Sequence, residues 1–140
     1  MKNVKVLALL LITAFAMTAC NNTEKILAKK DGKWAVKSQS DKYYTDGVLD
    51  SEEVTTTGLG FVVFESDGTG EFQTDAGATD GTFNWSYSDD KVTLTEGGLG
   101  LVYDVLESSK DEQKWSTSIE IEFAGTVSRT DSELMLERAD

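Results

Sequence analysis

The sequence predicts an all-β domain: a small antiparallel up-and-down β-barrel of about eight strands, preceded by a short N-terminal helix. Three observations carry that reading. From residue 33 onward, apolar side chains recur at every second position in short runs. Glycine and acidic turn residues separate most of those runs, so strand follows strand at hairpin spacing. The 140-residue chain also contains no proline, which suits strands that must all donate backbone hydrogen bonds. A meander of this kind tends to close, because closure removes edges that would otherwise pair with other chains.

The N-terminal segment is expected to lie outside the barrel. Lys2 and Lys5 precede an apolar run over residues 6–16 that is too short to span a bilayer as a stable helix. Small residues then close the segment, in the order of a secretory signal. Met17-Thr18-Ala19-Cys20 resembles the lipobox of bacterial lipoproteins, and Cys20 is the only cysteine in the chain. The resemblance implies cleavage before Cys20, lipid on the new N-terminus, and a lipid-anchored place in the cell envelope, at the outer membrane. Asn21 in place of an aspartate after the cysteine carries no sign of inner-membrane retention. The expected division is therefore a signal peptide over residues 1–19, a lipidated tether over 20–26 and the barrel domain over 27–140.

Asn22 or Thr23 can cap a short helix, with Ile26 and Leu27 as its narrow apolar edge and Gly32 as its stop. Residues 33–39 then alternate, Trp34 and Val36 on one face and Ala35 and Lys37 on the other. Residues 40–53 break the alternation and are expected to form a long acidic loop that holds Tyr43 and Tyr44. Residues 54–65 resume as a strand or bent pair, kinked near Gly58-Leu59-Gly60. Asp67-Gly68 between Phe64 and Phe72 is a strong hairpin signal. Phe83, Trp85 and Tyr87 share a face, Ser88-Asp89-Asp90 turns the chain, and Val92 and Leu94 return.

Residues 97–100 are expected to form a loose glycine connection into an apolar strand over 101–107, and 108–113 a polar turn. Trp115, Thr117, Ile119, Ile121 and Phe123 then face one way, Glu120 and Glu122 the other. A last hairpin is expected to turn near Thr130-Asp131-Ser132 and to end on Leu134, Leu136 and Arg138.

Gly32-Lys33-Trp34 after a short helix, Arg138 in the last strand, and the stretches 67–70, 84–87 and 92–95 are together similar to the lipocalin-like domains of small bacterial lipoproteins. That resemblance implies a barrel with one closed end, where Trp34 packs under the strands and Arg138 stacks across its ring. It also implies an open mouth that takes a small apolar or amphipathic ligand. The physical case for the pair stands separately: a guanidinium over an indole face gains about 0.5–2 kcal/mol, depending on desolvation.

Composition excludes more than it selects. The absence of histidine removes histidine-based general bases and metal sites, and Cys20, once lipidated, leaves no thiol for a disulfide, a zinc cluster or a nucleophile. Loss of a signal carrying Lys2 and Lys5 takes the formal charge from −12 to about −14, a surface that repels nucleic acid. No catalytic set, cofactor or metal is expected. Paired carboxylates would leave room only for a glycosidase-type hydrolase, and no pair stands out. Neither Gly-Leu-Gly run leads into a helix, so neither is a nucleotide loop. Asp41, Asp46, Asp50, Glu52 and Glu53 crowd together at spacings that fit no calcium loop, and a solvated acidic surface is the simpler reading.

The candidate ligand contacts are Tyr43 and Tyr44, which could touch a guest with ring and hydroxyl or pack down as a plug. Asp104 joins them only if its face of the strand points inward. The larger apolar set of Leu101, Tyr103 and Val105 argues that it points outward. An interior filled by aromatic side chains would instead favour a protein-interaction module over a ligand binder.

Overall fold

The computed structural model describes residues 23–139. The expected signal, Cys20 and the first residues of the tether lie outside the described residues. Packed structure begins within the expected tether: helix α1 (Thr23–Leu27) buries Thr23 and Leu27. Nine strands follow: β1 (Lys33–Thr45), β2 (Val48–Thr55), β3 (Phe61–Phe64), β4 (Thr69–Gln73), β5 (Thr79–Ser88), β6 (Lys91–Glu96), β7 (Leu99–Ser108), β8 (Glu112–Phe123) and β9 (Thr126–Arg138). All pairings are antiparallel, in the order β2-β1-β3-β4-β5-β6-β7-β8-β9, and β9 pairs back on β1. Eight strands thus close a barrel, and β2 is an additional strand on the edge of β1.

Four of the connections are two-residue turns at Asp46-Gly47, Asp89-Asp90, Gly97-Gly98 and Ala124-Gly125, with φ positive at both central residues. That is the turn whose twist matches two antiparallel strands. Three expectations are corrected by these turns. Residues 40–53 are not a loop, since they form the upper half of β1, the Asp46-Gly47 turn and most of β2. Leu99 and Gly100 already belong to β7, so the connection there is tight. The last hairpin turns at Ala124-Gly125, and Thr130, Asp131 and Ser132 lie in the middle of β9. The kink near Gly58-Leu59-Gly60 is present as the break between β2 and β3.

The core occupies the end of the barrel nearest α1. Phe64 is its hub, in edge contact with Phe83, Trp85 and Trp115 at centroid distances of 5.7, 5.2 and 5.7 Å. Leu27, Trp34, Val62, Val92, Leu94 and Leu136 complete it. Each such side chain contributes roughly 1.5–3 kcal/mol by leaving water. The indole N–H groups are not wasted on that burial: Trp34 donates to Leu27 O at 3.0 Å, Trp85 to Glu65 O at 3.0 Å and Trp115 to Gln113 Oε1 at 3.4 Å. The buried amide of Gln113 donates in turn to Ser108 Oγ and Ser109 O, so the floor carries a satisfied polar network.

Arg138 lies over the Trp34 ring, guanidinium carbon 3.9 Å from the centroid. It also donates to the carbonyls of Ile26, Lys29 and Lys110, tying α1 and the β7–β8 turn to the last strand. Burial pulls the Arg138 pKa below its ordinary value, and the nearby Asp111 charge opposes that shift. Gly32 is required here: its φ is +61°, and a Cβ would sit 2.0 Å from Phe64 O.

Candidate functional site

The strands β1, β8 and β9 run well past the filled floor, and their register stacks the inner face in rows. Trp115 is buried in the barrel, so the odd-numbered side chains of β8 face inward with it. Moving outward, the rows across β1, β9 and β8 are Gln39–Leu134–Trp115, Asp41–Ser132–Thr117, Tyr43–Thr130–Ile119 and Thr45–Ser128–Ile121. A bulge at Lys37, between Val36 and Ser38, sets which β1 residues belong to them. Before the bulge the even residues Trp34 and Val36 face in; after it the odd residues do.

The second of these rows is a polar neck above the aromatic core. Asp41 accepts from Gln39 Nε2 at 2.8 Å and from Ser132 Oγ. Tyr103 of β7 faces the same space, its ring 5.8 Å from that of Trp115. Burial first, and then the Asp41 carboxylate, push the Tyr103 hydroxyl above its ordinary pKa. Outside the neck the lining is mixed, with Tyr43 38% and Ile119 45% exposed. Ile121 and Phe123 continue this face of β8 and are more exposed still.

The rim around this mouth is acidic. The turns at this end, or the strand ends beside them, carry Asp46, Asp75, Asp80 and Glu96, and Glu120 and Glu122 stand on the outer face of β8. Two bases of this end, Lys42 and Arg129, pair with Glu52 at 3.9 Å and Asp131 at 3.2 Å. Asp46 ties its turn to the start of β9, since its carboxylate accepts from Val127 N at 2.9 Å. Among the described residues, no group of three or more acids, cysteines or histidines converges to hold a metal ion.

The sequence-predicted candidates separate. Tyr43 is on the inner face at the mouth. Tyr44 is on the outer face of the same strand, 4.2 Å beneath the Arg129 guanidinium. Asp104 points outward and pairs with Lys91, its side chain 56% exposed, so it does not join Tyr43. Asp41, Tyr103 and Ile119 are the members that sequence reasoning did not assign to a ligand site. The signal for Ile119 was its alternation with Trp115. None existed for Asp41, because only the bulge turns it inward. The chain matches no family model and no curated protein.

Proposed function

We propose that this chain is an exported, lipid-anchored lipocalin-like protein of the cell envelope, and that it binds a small amphipathic molecule in its mouth. The observation that carries the reading is the order of the rows: filled aromatic floor, Asp41 neck, then Tyr43 and Ile119 open to solvent. A guest there would lay apolar surface on Tyr43, Ile119 and Ile121, gaining about 25 cal/mol per Å² before ordering costs. Its head would meet a carboxylate and an acidic rim, so a neutral or cationic amphiphile fits better than a fatty acid. No catalytic group is assigned.

A fluorescent apolar amine tests it. Tyr43→Ala should weaken binding several-fold with little change in melting temperature, while Tyr44→Ala on the outer face leaves binding unchanged. Equal effects of the two substitutions would remove the site from the mouth. The filled floor favours a second reading, an envelope interaction module without a small ligand, and no probe binding to the wild type would select it. The anchoring half of the proposal has its own test. Cys20→Ala should release the protein from membranes and abolish incorporation of a palmitate analogue, because stable attachment takes more than one acyl chain. Unlabelled wild type that still partitions to membranes would end it.

A further inference from the structure

The barrel is fully stitched only in its floor half. β7 and β8 pair over Asp104↔Ser116, Val105↔Trp115, Glu107↔Lys114 and Ser108↔Gln113, with a bulge at Leu106, and then part. The last stitch is a side chain: Thr117 Oγ1 donates to Val102 O at 2.7 Å. Beyond it, residues 118–123 of β8 pair with β9 on one side and with no strand on the other, among the described residues. Among the described residues, 99–102 of β7 likewise pair only with β6. Two strand edges therefore border one gap, each presenting the backbone N–H and C=O of alternate residues.

The side chains at this gap have a pattern. On the inner face of β8, Ile119, Ile121 and Phe123 are 45, 63 and 82% exposed, and Leu99 across the gap is 82% exposed. On the outer face of the same β8 segment stand Glu120 and Glu122. An apolar face, an acidic face and an unpaired edge coincide on one strand. We infer that the β8 edge over residues 118–123 is a strand-addition site for an extended segment of another protein that alternates apolar and basic side chains. Its backbone would extend the β8 ladder, its apolar side chains would cover Ile119, Ile121 and Phe123, and its bases would stand beside Glu120 and Glu122.

Charge decides between this occupant and a second copy of the chain. Antiparallel pairing of two β8 edges would bring Glu120 and Glu122 of both copies together on one face, and like charges directly opposed are destabilising. A basic partner turns the same acids into attraction. This inference does not depend on a small ligand in the mouth, because it needs the backbone edge and not the Asp41 neck.

The test uses the full chain and a labelled peptide of alternating valine and lysine, read by fluorescence anisotropy. It is compared with a valine–glutamate peptide and with a valine–lysine peptide N-methylated at alternate residues. The valine–lysine peptide should bind, N-methylation should weaken it by about tenfold through lost ladder bonds, and the glutamate peptide should bind least. Glu120→Lys with Glu122→Lys should reverse the charge preference. Hydrogen exchange should show new protection at residues 118–123 when the first peptide is bound. Equal binding of the N-methylated peptide would overturn strand addition, as would protection appearing elsewhere or no binding at all. Dimerisation of the wild type through this edge would replace the basic partner with a second copy. Should the double-lysine variant fail to fold, the N-methylation and exchange results on the wild type decide alone. Asp41→Asn should leave peptide binding unchanged, which separates the β8 edge from the Asp41 neck, Ile119 and Ile121 being common to both.

Discussion

At the scale of single residues, backbone sign decides more than side-chain chemistry. Gly32 and Ala124 have nearly the same dihedral, φ +61° and +52°, and opposite requirements. Gly32 admits no Cβ, because one would overlap Phe64 O, so Gly32→Ala should cost more than the roughly 1–2 kcal/mol of the left-handed conformation alone. Ala124 already bears that cost at an exposed turn, so Ala124→Gly should stabilise by up to about 1 kcal/mol. Chemical denaturation of both variants checks the pair, and the same sign for both would refute the argument. Trp34 is fully buried, and Trp34→Ala should cost about 3–5 kcal/mol. Part of that belongs to the stack with Arg138, so the double variant should fall short of additivity by at least about 0.5 kcal/mol. Full additivity would leave the two residues adjacent but uncoupled.

At the scale of elements, the strands that were legible are those with a wet face and a dry one. Phe83 and Trp85, Val92 and Leu94, and Trp115 could be placed because alternation and burial coincide. β2 could not, because nearly all of its side chains are exposed and no apolar period marks it. Its Asp46-Gly47 turn was in plain view as a hairpin dipeptide between Tyr43-Tyr44 and Val48-Leu49, but the polar run over residues 50–53 carries no alternation to mark a returning strand. The bulge at Lys37 hid the mouth in another way: parity counted from Trp34 puts Tyr44 inside and Asp41 outside, and both are reversed.

Turn chemistry also gives a pH effect. Asp67 closes the β3–β4 connection by accepting from Thr69 Oγ1 at 2.6 Å and Thr69 N at 2.9 Å, and these bonds lower its pKa. A carboxylate lowered in the fold contributes stability that is present above its unfolded pKa and lost as pH falls through the folded one. Asp67→Asn should therefore reduce the acid-side fall in melting temperature below the ordinary carboxylate value of 3.8. At neutral pH, removing one negative charge works the other way in a chain of net charge −12. Parallel melting curves for wild type and variant at all pH values would show that the turn has no titrating role.

At the scale of the whole molecule, the floor and the mouth differ in how they are held. Every strand of the floor has neighbours on both sides, and the buried aromatic cluster ties them together. Toward the mouth, among the described residues, β2 rests on β1 alone, and β8 beyond Thr117 rests on β9 alone. Opening either would expose almost no buried apolar surface, because the side chains there are already in water. Local opening free energy follows buried contacts, so the molecule should fluctuate in two tiers. Amide exchange should proceed by global unfolding at Trp85, Val92 and Trp115, and by local opening in β2 and over residues 118–123. Measured in increasing denaturant, the first group should share one steep dependence, and the second should exchange orders of magnitude faster with a shallow one. Floor and mouth amides exchanging at a common rate would mean that the flared strands are part of a single cooperative unit. The mouth would then be a rigid funnel, and the β8 edge would have to accept a partner without yielding to it.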